Sequence, residues 1–427
     1  MPFSVTLQVL AHIRCQRTYV TGGKQNPLHA RNVLHLGRLP GTRGAPGGAL
    51  LARPLDTCHD ARMVLEPDRL LMGPGPSNTY PEVTAALSLP VLGHLDPVFL
   101  EILDETCARL RQVFGTGNEL TFPLSGTGSA GMEAAFVNFV RPGDSVVIGV
   151  NGLFGERMCD VAGRSGAQVV RVDAPWGEPL DPDALVSAHP DPRIIALVHA
   201  ETSTGVRNEV AAVGRGKRDA LLVVDTVTSL GGMPVHVDDW GVDVAYSATQ
   251  KCLGVPPGLA PFTVSDRARE RLVERPSSWY LDLNLLSRYV ESGAGRVYHH
   301  TAPVAMVRAL HAGLGAMLTE GLDAVFDRHE TCGRALQAGL EELGVGLLVA
   351  PSDRLAQLTT ALVARVPGDS MDEASVRRAL LERYSIEIGA GAGQLAGQVW
   401  RIGCMGHTAR PANVLALLGA LAEVLEG

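Results

Sequence analysis

The chain has 427 residues with 45 acidic and 37 basic side chains, a net charge of −8, and 46% of it is hydrophobic. That is enough apolar material for one large core and a second, smaller one. An acidic body argues against general nucleic-acid binding, which draws its affinity from a basic face, and no run of eighteen apolar residues reads as a membrane-spanning helix.

Charge is distributed unevenly. Residues 1–62 hold eight Lys/Arg against two Asp/Glu, a local +6, so the remainder carries −14. This segment is rich in Arg, Gly and Pro and lacks sustained periodicity; Gly37-Arg-Leu-Pro-Gly-Thr-Arg-Gly-Ala-Pro-Gly-Gly48 cannot build a core. Arginine-rich, acid-poor composition suits a targeting peptide, but Ser4 is the only serine and the Gly/Pro stretches break an amphipathic helix. The expectation is a weakly ordered extension over 1–62, with Met63 or Met72 as a natural start.

From Leu70 onward short apolar runs alternate with longer helical stretches. Ser145–Val150, Gln168–Val172, Ile194–His199 and Leu221–Val224 are near-continuous apolar strands, the pattern of a buried parallel sheet. Candidate helices Ser129–Val140 and Gly155–Gly166 lie between them. Strand–helix alternation predicts an α/β, doubly wound, mostly parallel sheet with ligands at the carboxyl ends of its strands. A long helical stretch, Pro303–Leu347, then leads to Leu358–Val366, a helix over Met371–Tyr384, Val399–Ile402 and a last helix over Pro411–Leu425. The predicted division is a large domain over 63–315 and a smaller C-terminal α/β domain over 316–427, without internal repeats.

Three features carry chemistry. Only three lysines occur against 34 arginines, and one of them, Lys251, lies in Ser247-Ala-Thr-Gln-Lys-Cys-Leu-Gly-Val-Pro-Pro-Gly258. Arginine stays protonated, whereas a lysine amine can lose its proton and condense with an aldehyde. Upstream, the apolar run Leu221–Val224 delivers Asp225 at its end, and one further strand, Val242–Tyr246, fits the 26 residues between Asp225 and Lys251. An amine for an aldehyde and a carboxylate for a protonated ring nitrogen are what pyridoxal phosphate asks of a protein. The third feature is Leu124-Ser-Gly-Thr-Gly-Ser-Ala-Gly-Met-Glu133, which opens a helix with glycines and suits a phosphate dianion. It also matches GxGxxG, yet the next strand ends in Asn151-Gly152 without the acidic residue that a dinucleotide site needs.

In these motifs, and in their order over residues 69–425, the chain resembles the class V aminotransferases of fold type I, most closely the alanine/serine–glyoxylate group. The resemblance implies pyridoxal 5'-phosphate as cofactor and Lys251 and Asp225 as catalytic residues. It implies phosphate contacts from Thr127, Gly128, Ser129 and Gln250. Phe154, where a tryptophan is familiar, would stack on one face of the ring and Val227 would pack on the other, while the Thr202 hydroxyl would bond the ring O3′. Tyr298 and Thr301, in Arg296-Val-Tyr-His-His-Thr301, would reach the phosphate of a neighbouring subunit, so a homodimer is implied. Arg401, in Val399-Trp-Arg-Ile-Gly403, suits a bidentate pair with a substrate carboxylate and resembles the family's clamp. Gly75 and Tyr80, in Gly73–Pro81, resemble the segment lining the substrate pocket.

The implied reaction moves the amino group of alanine or serine to glyoxylate. Ureidoglycine–glyoxylate and pyridoxamine–pyruvate transamination are alternatives, and a cysteine desulfurase needs a loop cysteine where this chain has Cys252 fixed beside the lysine. Gly389–Gly393 reads as a flexible active-site loop. The adjacent His299 and His300 lack a third ligand, so no metal is expected. The seven cysteines form no CxxC pair, which fits a reducing cytoplasm.

Overall fold

The computed structural model describes residues 67–291, 295–363 and 372–426. The expected extension over 1–62 lies outside them. From Arg69 the chain packs as one compact unit.

The elements that position the site are, in chain order, α1 (Pro81–Leu87), α2 (Pro97–Phe114), β1 (Leu120–Ser125), α3 (Gly128–Val137), β2 (Ser145–Val150), α4 (Leu153–Arg164), β3 (Gln168–Asp173), β4 (Ile194–Val198), β5 (Leu221–Asp225), β6 (Val244–Tyr246), β7 (Leu259–Val264), α5 (Val304–Glu320), α6 (Leu322–Glu342), β8 (Leu358–Leu362), α7 (Glu373–Tyr384), β9 (Gly389–Ala390), β10 (Val399–Gly403) and α8 (Pro411–Glu426). The large sheet runs β1-β7-β6-β5-β4-β2-β3. Only β7 is antiparallel to its neighbours. Strands β4 and β5 are buried along their whole length, which is why they read as unbroken apolar runs.

The long stretch Pro303–Leu347 is two helices rather than one. Gly321, at φ 89°, turns the chain between α5 and α6, a conformation that a β-carbon disfavours. The two larger apolar clusters also divide later than the expected 315/316 boundary. Val325 belongs to the large core and Cys332 to the small one, so α6 serves both. Gly389–Ala390, expected as part of a flexible loop, instead pairs with Arg401 and Trp400 as an edge strand of a four-stranded antiparallel sheet. Met72 is another departure from a simple division: it lies in the small core, carried there by Leu70 and Leu71 pairing with Ile386 and Glu387.

His329, on α6, ties the helix to the chain between β10 and α8. Its Nδ1–H donates to the Val325 carbonyl at 2.7 Å, and its Nε2 accepts from the Gly406 N–H at 2.9 Å. Burial pushes its pKa from 6.5 down to about 4. Because the unfolded chain holds this proton more tightly, the stability His329 contributes is complete above pH 6.5 and is lost as the pH falls through about 4. The thermal midpoint should therefore hold above pH 6.5 and decline below it. His329→Gln, which cannot titrate, should cost roughly 1–3 kcal/mol at pH 7.5 and decline less steeply in acid. Parallel pH profiles for the two proteins would remove His329 as the cause.

Candidate active site

The carboxyl ends of the parallel strands converge on one cavity of about 270 Å³, lined by Thr127, Gly128, Ser129, Phe154, Asp225, Val227, Gln250 and Lys251 among others. Each lies at or just beyond the carboxyl end of a strand: β1 leads to 127–129 at the start of α3, β2 to Phe154 at the start of α4, β5 ends on Asp225 and leads to Val227, and β6 leads to Gln250 and Lys251. A parallel sheet presents its loops in this way because every crossover returns the chain to the same edge.

Lys251 is 8% exposed. Its Nζ donates to the Pro74 carbonyl. Gly75 lies directly against the aliphatic stem; a β-carbon there would meet Lys251 Cδ at 2.7 Å and Nζ at 2.9 Å, and its φ of +115° excludes most side chains independently. The Ser77 N–H donates to the Gln250 carbonyl at 2.9 Å and its hydroxyl to the Lys251 carbonyl at 2.8 Å. Burial, then the Arg401 charge, lowers the Lys251 pKa from 10.5 to about 8. An amine held there is neutral far more often near pH 7.5 than a surface lysine, and only the neutral amine is a nucleophile or base.

Asp225 ends β5 with its carboxylate facing the cavity. Burial raises its pKa from 3.8 to about 7, and the Val227 N–H, donating to Oδ1 at 2.8 Å, opposes the rise. A buried carboxylate without a salt-bridged cation among the described residues is the counterpart that a protonated ring nitrogen would supply. The opposite requirement, an anion site, is met at α3. The Ala130 and Gly131 N–H groups return to the Thr127 carbonyl, leaving those of Gly128 and Ser129 on the open first turn. At Gly128 a β-carbon would meet Val227 Cγ2 at 3.0 Å and Ala248 Cβ at 3.1 Å, so glycine lets the turn approach β5 and β6. Amine, carboxylate, anion cradle and the apolar walls of Phe154 and Val227 fit pyridoxal phosphate.

Glu201 was not legible in the sequence. It is fully buried, and its Oε1 accepts from the Ser203 hydroxyl at 2.5 Å and the Ser203 N–H at 3.1 Å. Its Oε2 accepts from the Phe154 and Gly155 N–H groups at 3.2 and 3.4 Å, at the start of α4. Four donors and a helix N-terminus favour the carboxylate form, while burial acts the other way and raises the pKa. A β-carbon at Gly152 would lie 2.4 Å from Glu201, so the turn before Phe154 has space only for glycine. Glu201 thereby fixes where the Phe154 ring stands.

Arg401, in β10, donates from Nε to the Ala390 carbonyl at 2.7 Å and from Nη1 to the Thr202 carbonyl at 3.3 Å. Thr202 itself is buried, its hydroxyl accepting from Thr228 at 3.3 Å, and neither it nor Arg401 is among the residues lining the cavity. Tyr80, expected to line the substrate pocket, instead packs against Gly254 and His407, with Arg328 donating to its hydroxyl at 3.4 Å. It stands immediately before α1 and lines a separate surface cleft, not the cavity that holds Lys251. Tyr298 and Thr301 share a 3.4 Å hydroxyl contact on the exterior and are not among the residues lining the cavity of their own chain. The ring nitrogens of His299 and His300 lie 2.9 Å apart, and among the described residues no group of three metal-binding side chains converges. Cys252 is buried, donates to the Thr228 carbonyl at 3.2 Å and has its pKa pushed up to about 12 by burial, which keeps the thiol protonated and unreactive.

The low Lys251 pKa is measurable. Condensation of the cofactor-free protein with pyridoxal phosphate, followed by visible absorbance, should quicken as pH rises, with a midpoint near 8 rather than 10.5. Arg401→Ala removes a charge that lowers this pKa, so the midpoint should move upward. A midpoint that ignored Arg401 would contradict the electrostatic account.

Comparison with known proteins gives this arrangement its family. The model of the aminotransferase class-V family matches residues 81–407. An alanine–glyoxylate aminotransferase from Nostoc sp. of known structure is 47% identical, with a TM-score of 0.81 over 88% of this chain and 98% of its own. The (S)-ureidoglycine–glyoxylate transaminase of Bacillus subtilis is 38% identical over 85% of this chain and 92% of its own length. The alanine–glyoxylate aminotransferase of Drosophila melanogaster is 38% identical over 86% and 94% respectively. With this match and the fold-type I sheet that carries Lys251 and Asp225, the chain belongs to the class V aminotransferases, enzymes that depend on pyridoxal phosphate.

Proposed function

We propose that this enzyme transfers the amino group of alanine or serine to glyoxylate, releasing pyruvate or hydroxypyruvate in the first half of the cycle and glycine in the second. The observation that carries the reading is the pairing of Arg401 with Lys251: the guanidinium lowers the Lys251 pKa, so a cation for one carboxylate stands near the amine, as a small amino acid or 2-oxo acid needs. Similarity to alanine–glyoxylate aminotransferases of two organisms supports the same choice.

In this reading the Arg401 guanidinium binds the substrate carboxylate as a planar pair. The clamp and the amine lie close enough for Arg401 to depress the Lys251 pKa, so a bound amino acid has its α-carbon beside Nζ. Lys251 Nζ takes the proton from that carbon and later returns one. Bound pyridoxal phosphate supplies the aldehyde for the amine and a ring that accepts the electron pair. Asp225 would hold a negative charge for the ring nitrogen and favour its protonated form, Phe154 and Val227 would confine the ring, and Gly128, Ser129, Thr127 and Gln250 would bind the phosphate. Thr202, buried beside Thr228, is the candidate for the ring hydroxyl.

The working unit in this reading is a cytoplasmic homodimer. Trp279, Tyr280 and Tyr298, 63%, 42% and 56% exposed, form an aromatic face that a second copy would cover, bringing Tyr298 and Thr301 to its neighbour's phosphate. A second reading, ureidoglycine as donor, rests on the Bacillus subtilis relative. Against it, Tyr298 and His94 present two rings 5.3 Å apart where a ureido group would favour amides.

Mixing the cofactor-loaded protein with single donors should bleach the visible absorbance for alanine and serine, and glyoxylate should restore it. Bleaching by ureidoglycine alone would select the second reading. Sedimentation at micromolar concentration should give twice the chain mass.

A further inference from the structure

We propose that Arg157 supplies the fixed positive charge that binds the phosphate of the cofactor within its own subunit. This rests on the reading of the cavity as the pyridoxal phosphate site and adds a residue that neither the motif reading nor the loop geometry assigned. Arg157 lies three residues after Phe154 on α4, so the two side chains share a face of the helix. Its guanidinium sits over the Phe154 ring, 4.9 Å from the centroid, and its Nη1 donates to the Ser129 hydroxyl at 3.3 Å. It lines the same cavity as Thr127, Gly128 and Ser129.

Charge balance makes the assignment. A phosphate monoester carries about −1.5 to −2 at neutral pH, and a helix N-terminus offers roughly +0.5. The cavity wall contains two cationic side chains, Arg157 and Lys251. Lys251 is turned to the Pro74 carbonyl and is consumed as the amine that meets the aldehyde. Arg157 is the remaining cation, and its planar fork matches two phosphate oxygens. The Phe154 ring holds the guanidinium plane from one side, and the Ser129 hydroxyl fixes it from the anion cradle. One side chain thus links the phosphate end of the site to the residue that stacks on the ring.

The test separates charge from support. The full chain, stripped of cofactor, is titrated with pyridoxal phosphate and with pyridoxal, which lacks the phosphate, by visible absorbance. Loss of a charge-assisted bond predicts that Arg157→Gln weakens pyridoxal phosphate about 10- to 100-fold, with pyridoxal affinity changed less than about twofold and Arg157→Lys intermediate. Arg157 is exposed in the free chain, so the fold should persist, and unfolding curves of the variants check this. Equal weakening of both ligands would make Arg157 a prop for Phe154 and overturn the proposal. So would an unchanged preference for the phosphorylated form. If the unsubstituted protein bound neither ligand, the cofactor site itself would fall, an outcome distinct from a wild-type preference that survives Arg157→Gln.

Discussion

The chemistry of this site depends on burying one amine beneath a strap of backbone. Residues Gly73–Ser77 cross the Lys251 side chain so closely that Gly75 has no space for a β-carbon. The strap removes water from Nζ, offers it a single carbonyl, and fastens the lysine loop at two points through Ser77. Lysine keeps its proton in water at pH 7; here desolvation, aided by the Arg401 charge, works against that proton. The strap is in turn placed by the small sheet. The Gly403 N–H donates to the Met72 carbonyl at 2.8 Å, and a β-carbon on Gly403 would lie 2.0 Å from the Gly73 carbonyl oxygen. The strand that carries Arg401, β10, therefore also sets the segment that covers the lysine. Clamp and strap are held by one strand.

The buried charges around the cavity act in opposition. Burial pushes Asp225 up and Lys251 down, each toward its neutral form. The two groups attract, but neither is neutralised by a direct salt bridge. A protonated ring between them would restore the missing partner of Asp225 and satisfy the carboxylate that burial penalises. Glu201 extends the arrangement, anchoring α4 with one oxygen and Ser203 with the other while acting electrostatically on Asp225 and Arg401. The free protein thus holds its polar groups preorganised for a ligand charge, the arrangement that makes electrostatic catalysis effective.

How much of this was legible in the sequence follows from how local each signal is. The parallel strands were readable because a strand buried on both faces has only apolar residues to show; Leu221–Val224 and Ser145–Val150 needed no context. Lys251 and Asp225 stood out because a rare amine and a strand-end carboxylate are unusual residue types for their positions. Glu201 was not readable, since its partners Phe154 and Gly155 are 47 and 46 residues away and meet it only through the parallel pairing of β2 with β4. Tyr80 was misplaced because a motif fixes where the backbone runs but not which way a ring turns at the start of a helix. Gly389–Ala390 looked like a loop because glycine carries no strand signal; pairing with Arg401 and Trp400 made it one. Gly321 breaks α5 from α6 through a positive φ, and the helical periodicity on either side concealed it.

The scarcity of lysine takes on a physical meaning once the two described lysines are placed. Lys217 is largely buried and its ammonium is held by the Asp243 carboxylate and the Gly241 carbonyl, so its charge is spent on joining two loops at the far, amino-terminal ends of the strands. Lys251 is the other. Every exposed basic side chain of the described residues, histidine apart, is an arginine, whose guanidinium does not lose its proton to attack a carbonyl. An enzyme with an aldehyde cofactor presents, among these side chains, one amine free to condense with it. Selectivity for Lys251 then rests on its pKa near 8, which makes this amine neutral where a surface lysine would still be charged.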